Sequence, residues 1–364
     1  MQRQMLTARS PAKLILSGEH SVLYGSPAIV FAINKYVYTT VSPNLLNNSV
    51  LLDLLNFKNA KKFTLKTLKE LKYRLQDSYT NYQLGKCSIK DVLQTPFDLI
   101  NFTVTNLIEA FNINLPHGFS VKTISNVPIG CGMGSSAATI MSLLYALCKM
   151  LNLDLTKSNY LQLAKDAENL QHGKSSGLDL YLSMQGGSCL YQSNTDILNK
   201  KLNQNKFYIV NTGEPTSTTG DAVSSVRKYF EGSNLADDFA IVTNGLDNVF
   251  SQDKTDLKDI LKLIQENHKL LNKIQVVPDK VNNFIHELEQ IDCAAKICGS
   301  GAINGDNAGA VIVFAEDINK TKSIIDKYNY NLDIIEIDHQ GSHLLPNNNY
   351  NTSDFSELQK VVSF

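Results

Sequence analysis

VPIGCGMGSSAATIMSLLYAL, residues 127–147, decides how this chain is read. Three glycines, Gly130, Gly132 and Gly134, alternate with other residues. Ser135 and Ser136 follow, and then an alanine-bearing apolar run with the texture of a helix. A helix start exposes unpaired N–H groups and carries partial positive charge. Glycines in front of it let the backbone approach a bound group and take positive φ. Together they make a phosphate cradle, to which the two hydroxyls can add hydrogen bonds or a magnesium ligand. A tight strand-to-helix turn is the plainer account of three glycines alone; the serine pair and the long helix behind it favour the cradle.

Two familiar phosphate loops do not fit these residues. A Walker loop needs Lys before its Ser or Thr, and no such lysine follows here. A dinucleotide fold needs GxGxxG and an acid about 20 residues on. This loop is GxGxG, and Lys149 and Met150 stand at that distance.

The 364 residues exceed one small core and predict two domains, with a boundary near 190–215, written here as 1–195 and 196–364. Hydrophobic residues make up 43%, charged residues 19%, and the net charge is −1. That balance excludes a nucleic-acid coat or a membrane-surface protein, which would need a basic excess. The exception is KNAKKFTLKTLKELKYR (58–74), whose leucine spacing predicts a solvated helix face. There is no signal-like apolar core at the amino terminus and no run of about 18 apolar residues. Six scattered cysteines without CxxC spacing point to a reducing cytoplasm rather than a disulfide framework or zinc site. His339 and His343 read as a surface pair in a loop.

Along the chain, 8–42 predicts strands around a GSP turn. Helices are expected at 96–112, from the glycine loop to about 151, and at 157–171. Strands are expected at 117–125 and 206–213, and YLSMQGGSCLYQS (181–193) reads as a hairpin. Residues 216–296 are dominated by helical periodicity, and AGAVIVFA and NLDIIEID predict strands around a helical NKTKSIIDKY. The tail from Pro346 is polar and expected to be partly mobile. Mixed signals in both halves give an α/β or α+β class. The helical blocks at 223–290 leave a homodimer face open.

Phosphoryl transfer to an alcohol needs a divalent metal, a proton acceptor and positive charge near the transferred group. AENLQHGKSSGLDLYLSMQGG (167–187) offers Glu168, late on a predicted helix, and Asp179, in a glycine-flanked turn. Taken singly, each has an ordinary structural reading, as a solvated helix charge and a turn former. Lys13 in PAKLILSGEHSVLYG (11–25) is a charge in an apolar strand, costly to bury unless paired or snorkelling to the surface. Glu19 and His20 follow it in a turn.

Taken together, PAKLILSGEHSVLYG, SNVPIGCGMGSSAA, ENLQHGKSSGLD and KICGSGAINGDNAGAVIVF (296–314) resemble the GHMP kinase superfamily and, within it, the mevalonate kinase family. The motifs spread over most of the chain. The eleven-residue step from Glu168 to Asp179 fits the family pattern. The resemblance implies an α+β, two-domain GHMP kinase fold, with a ribosomal-protein-S5-domain-2-like N-terminal domain and a ferredoxin-like C-terminal domain around a cleft. It implies ATP and Mg2+ as cofactors, and a small-molecule alcohol, most often mevalonate, as acceptor. Carried over by position, Ser136 and Glu168 would hold magnesium. Gly130, Cys131, Gly132, Met133, Gly134, Ser135 and Ser136 would cradle the triphosphate, with Ser125 nearby. Asp179 would take or orient the acceptor hydroxyl proton. Lys13 would hold Asp179 ionised and stabilise the transferring phosphoryl group. Glu19, His20, Gly299, Ser300 and Gly301 would face the acceptor.

Two departures stand out. The family's third motif is a run of glycines before an apolar strand, whereas this chain reads GSGAINGDNAG, with Asn304, Asp306 and Asn307. The family also carries a basic residue or two after a threonine in the strand that follows the hairpin expected at 181–193; here IVNTGEPTSTTGD (209–221) has Glu214 and no Lys or Arg. Phosphomevalonate or a sugar therefore stays open as acceptor. A silent metabolite sensor is disfavoured by the presence of Lys13 and Asp179. Cys131 and Cys298, beside two loops of the site, raise the expectation that thiol modification would inhibit.

Overall fold

A computed structural model describes residues 4–44, 48–115, 117–128, 131–193, 197–253 and 256–346. Its strands are β1 (Leu6–Ser17), β2 (Ala28–Asn44), β3 (Ser49–Leu54), β4 (Asn59–Thr64), β5 (Gly118–Ser125), β6 (Ser188–Tyr191), β7 (Leu198–Lys200), β8 (Lys206–Asn211), β9 (Ala294–Cys298), β10 (Ala310–Phe314), β11 (Asn331–Glu336) and β12 (His343–Leu344). The helices are α1 (Leu65–Gln83), α2 (Asp98–Ala110), α3 (Ser135–Met150), α4 (Lys157–His172), α5 (Leu178–Gln185), α6 (Thr219–Phe230), α7 (Leu235–Phe250), α8 (Leu257–Lys273), α9 (Asp279–Glu289) and α10 (Lys322–Lys327).

The first sheet runs β12-β1-β2-β5-β3-β4, with β6 and β7 continuing from the first part of β2. Its pairs are antiparallel except β3 with β5. The second sheet, β11-β8-β10-β9, is antiparallel throughout. Numbered from β8, that is order 4-1-3-2 with helices after the first and third strands, the β-α-β-β-α-β arrangement of a ferredoxin-like unit. The α+β class and the two-sheet architecture match the expectation. The 195/196 boundary lies outside the described residues; beyond it the chain returns to the first sheet twice, as β7 and as β12.

The strand Ala28–Ile33 is buried at every position, because neither face of β2 is left to solvent there. Helix α3 covers β1 and β2, and its residues Ala137, Ala138, Ile140, Met141, Leu143 and Leu144 are fully buried. Where the sheets meet, Phe31 of β2 stacks on Phe207 of β8, ring centroids 4.7 Å apart, with Phe250 of α7 and Phe314 of β10 against Phe207. A buried polar tie reinforces this junction: Asn267 Nδ2 donates to Ser17 Oγ at 2.6 Å, and Ser17 and Thr243 hydroxyls lie 2.7 Å apart.

Three local expectations are corrected. Residues 181–193 are not a hairpin; Leu178–Gln185 is helical and only Ser188–Tyr191 is strand. This short helix is buried at Leu178, Leu180, Leu182, Ser183 and Met184, on too many sides to leave a 3.6-residue signature. The basic stretch 58–74 divides into strand β4 and the start of α1, where Thr64 caps the helix by accepting from the Thr67 N–H. AAKIC, not singled out as a strand, is the fully buried β9. The tail beyond 346 lies outside the described residues.

Phe207→Ala empties the centre of the aromatic junction. It should cost about 3–5 kcal/mol, as phenylalanine truncations in cores do, read as a lower urea midpoint at unchanged slope.

Candidate active site

Strand β1 places Lys13 where it meets the glycine loop: its N–H donates to the Met133 carbonyl at 2.9 Å. The side chain is almost withdrawn from water, and its Nζ stands 3.3 Å from Asp179 Oδ2. That pairing settles how the lysine tolerates an apolar strand. Asp179 sits in the first turn of α5 rather than in an open turn, so the positive end of the helix adds to the field on its carboxylate. Gly134, the cap of α3, has φ 71°, and a Cβ added there would stand 2.9 Å from Lys13 Cγ and 3.3 Å from Asp179 Oδ2. The N-terminus of α3 therefore opens directly onto the Lys13–Asp179 pair. Gly130 lies outside the described residues.

The glycine loop also meets the second sheet. The backbones of Gly132 and Gly299 approach so closely that a Cβ on Gly132 would lie 3.5 Å from the Gly299 Cα. Ser300, next in this third loop, bonds through its carbonyl to His20 Nε2 at 2.9 Å. This bond makes Nε2 the protonated nitrogen and leaves Nδ1 as a buried acceptor with no partner among the described residues. Burial holds the ring below its usual pKa, opposed by the Ser300 bond. Glu19 turns the other way. Its carboxylate pairs with Lys296 of β9, both side chains out of water. Burial raises the Glu19 pKa against the pull of Lys296. Lys296 was not foreseen; a lysine inside an otherwise apolar five-residue strand was the available signal.

On the other side of Asp179, Glu168 of α4 is buried and accepts from the Ser175 hydroxyl. Its pKa is pushed up to about 7, first by burial and then by the Asp179 charge, with Ser175, Lys13 and Lys165 opposing. Ser136, in the first turn of α3, has its hydroxyl 3.4 Å from His172 Nε2. A hard carboxylate and a hydroxyl beside a helix N-terminus suit magnesium held jointly with phosphate oxygens. Among the described residues no three His, Cys, Asp or Glu side chains gather as a metal cage would require.

Ser125, at the end of β5, accepts from the Val127 N–H at 3.0 Å and is bracketed by Asn56. Its hydroxyl thus shapes the approach to the glycine loop. Cys131 and Cys298 are both buried, and burial pushes each thiol up to about 11. The expectation of modifiable thiols is corrected, since thiol reactivity needs exposure and thiolate character.

The two departures from the family pattern touch each other. Thr216 Oγ1 donates to Asn304 Oδ1 at 2.7 Å, the Ile303 N–H donates to Ser217 Oγ at 3.1 Å, and Asn307 Nδ2 donates to the Glu214 carbonyl at 3.3 Å. At the end of this seam Thr219 Oγ1 lies 3.3 Å from Ser300 Oγ. The lengthened third loop is thus the wall against which the lysine-free segment packs.

Residues 98–187 match the model of the GHMP kinases N terminal domain. The mevalonate kinase of Archaeoglobus fulgidus is 28% identical over 298 residues, covering 81% of this chain and 89% of that protein. Among solved structures, the Methanococcus jannaschii mevalonate kinase superposes with a TM-score of 0.74 at 22% identity, over 93% of this chain and 99% of that one. The fold is shared beyond that activity: Lactococcus lactis galactokinase complexed with galactose gives a TM-score of 0.71 at 16% identity, over 94% and 96% of the two chains. No helix among the described residues is long and apolar enough to cross a membrane. The chain is thus similar to GHMP kinases at residues 98–187 and to mevalonate kinases over most of its length.

Proposed function

We propose that this GHMP kinase phosphorylates the primary alcohol of mevalonate with ATP and magnesium in the cytoplasm, as a step of isoprenoid biosynthesis. The observation that carries the reading is the Lys13–Asp179 pair, 3.3 Å apart and pressed against the N-terminus of α3. Asp179 is the group placed to accept the acceptor's hydroxyl proton, and Lys13, paired with that carboxylate, faces the incoming phosphoryl oxygens. Residues 131–136, with Gly130, bind the triphosphate through backbone N–H groups and the α3 dipole. Ser125 holds the entrance to that loop. Ser136 and Glu168 are the magnesium ligands. When bound, magnesium neutralises phosphate charge; the protein's own contribution is orientation and a fixed field.

His20, with its unpartnered Nδ1, and Ser300 border the acceptor side, flanked by Gly299 and Gly301. Glu19 supports them from beneath through Lys296. We assign residues 1–195 to the nucleotide-binding domain and 196–364 to the part that completes the acceptor cleft, with β7 and β12 lent back to the first sheet. A different acceptor, a neutral sugar, is favoured by one observation: the seam between 212–219 and 303–307 offers no cation of its own. ADP release with ATP, magnesium and each acceptor in turn decides between them. Turnover confined to a sugar would overturn the mevalonate reading.

Asp179→Asn should lower kcat about a hundred- to ten-thousand-fold, the usual worth of a positioned general base, while ATP binding by calorimetry stays near wild type. Near-normal turnover would remove Asp179 from its role.

Glu168 gives a pH prediction. Its pKa in the folded, metal-free protein, about 7, lies above the ordinary 4.5. Below 4.5 the carboxyl is protonated in both folded and unfolded chains. As pH rises toward 7 the fold resists ionisation, and stability is lost progressively. Magnesium must displace that proton, so its affinity should rise with pH through about 7 and then level. Glu168→Gln should flatten this dependence, raise the magnesium requirement and raise Tm above pH 7. A magnesium titration of activity below and above that pH, with Tm of the metal-free protein, checks all three.

A further inference from the structure

Lys90 lies in a single 3-10 turn, Ile89–Asp91, that packs on α1 and α4. Its ammonium leaves that support and reaches Asp221 of α6, 2.9 Å from one carboxylate oxygen and 3.2 Å from the other. The pair spans from the helices of the first sheet to those of the second. Unlike Glu19–Lys296 it stands in water, with the Lys90 side chain 54% exposed and that of Asp221 40%. An exposed, solvent-screened pair of this kind contributes little to stability, so the lysine gives up its partner at little cost. Asp221 keeps other partners when it does. It accepts from the Thr218 N–H at 3.0 Å and from the Thr218 hydroxyl at 2.8 Å, and it lies in the first turn of α6, where the helix favours a negative charge.

The location gives Lys90 a purpose. Two residues before Asp221, Thr219 touches Ser300, and Ser300 in turn holds His20. Asp221 therefore marks the rim of the acceptor side. Two cations described at the centre of the site are committed: Lys13 faces Asp179, and Lys296 is wholly buried against Glu19. The segment 209–221 carries no Lys or Arg, and its polar groups at 214, 216 and 217 are engaged by the third loop. A lysine's flexible four-carbon stem can move a charge from one anion to another without moving the backbone.

We propose that Lys90 is the cation that recognises the anionic group of the acceptor, a carboxylate at the end opposite the reacting hydroxyl, and that it leaves Asp221 to do so. Asp221 parks the lysine in the acceptor-free protein and competes with the acceptor for it. Lys90 is then a specificity-determining residue, and this assignment rests on the mevalonate reading of the site.

The test compares two substitutions that break the same bridge. With wild-type protein, ATP and magnesium, mevalonate turnover is established first by ADP release. Lys90→Gln should raise KM for mevalonate at least tenfold, with kcat and the KM for ATP within about twofold of wild type. Lys90→Arg, which keeps the charge, should restore most of the affinity. Asp221→Asn, which removes only the competing anion, should leave KM unchanged or lower it. A merely structural tie makes Lys90→Gln and Asp221→Asn behave alike, and that result, or an unchanged KM in Lys90→Gln, overturns the assignment. Tm of each variant separates loss of folding from loss of recognition. Wild-type protein that ignores mevalonate and turns over a neutral sugar overturns the underlying reading instead.

Discussion

Glu19 and Lys296 are withdrawn from water together, on a turn after the first strand and on an edge strand of the second sheet. Either charge alone at that depth would be prohibitive, and removing one partner from such a pair typically costs about 3–5 kcal/mol. The bond therefore fixes how the two sheets face each other at one point. Everything in the site hangs close to that point. His20 follows Glu19 and reaches the carbonyl of Ser300, four residues after Lys296. Gly299, one residue beyond β9, lies against Gly132. The glycine loop and the third loop meet where the strand and turn behind them are held by opposite charges.

The legible parts of the sequence were those whose meaning is local. A glycine loop with a serine pair ahead of an alanine-bearing helix declares its geometry within twenty residues, and α3 begins at Ser135 as that reading requires. Strands β1 and β2 and helices α2 and α4 announced themselves by composition and period. Helix α5 did not, because its apolar positions point to several buried surfaces at once. Lys296 could not be understood from its own strand, since the acid that permits it lies 277 residues earlier in the chain. The same limit applies to the two departures from the family pattern. Each looked like an isolated loss, of glycines in one place and of basic residues in the other. In space they are a single seam, bonded between residues 86 to 93 positions apart.

The field around Asp179 is set by neighbours with conflicting demands. Lys13 favours its charge, whereas Glu168 would repel it if both were ionised. Burial resolves the conflict by keeping Glu168 reluctant to ionise near neutrality, so that the proposed nucleotide site and the proposed base are electrostatically linked before any ligand arrives. One fold serves several alcohols, as the likeness to both mevalonate kinases and a galactokinase shows, and surfaces such as the 212–219 seam are where such folds vary.

Strand β4 gives the basic stretch near residue 60 a meaning unrelated to catalysis. Among the described residues it is the outermost strand of the first sheet, paired only with β3 on one side, and nearly all of Asn59–Thr64 is exposed. Such a row of unpaired backbone groups is an invitation to a second chain to add a strand. Lys61 and Lys62 stand on that border, so a second copy arriving in the same orientation would bring its own lysines against them. The opposite border is closed in another way, by a two-residue strand too short to template anything. What reads in the sequence as a solvated helix face is, over 59–64, a charged edge that discourages self-assembly edge to edge.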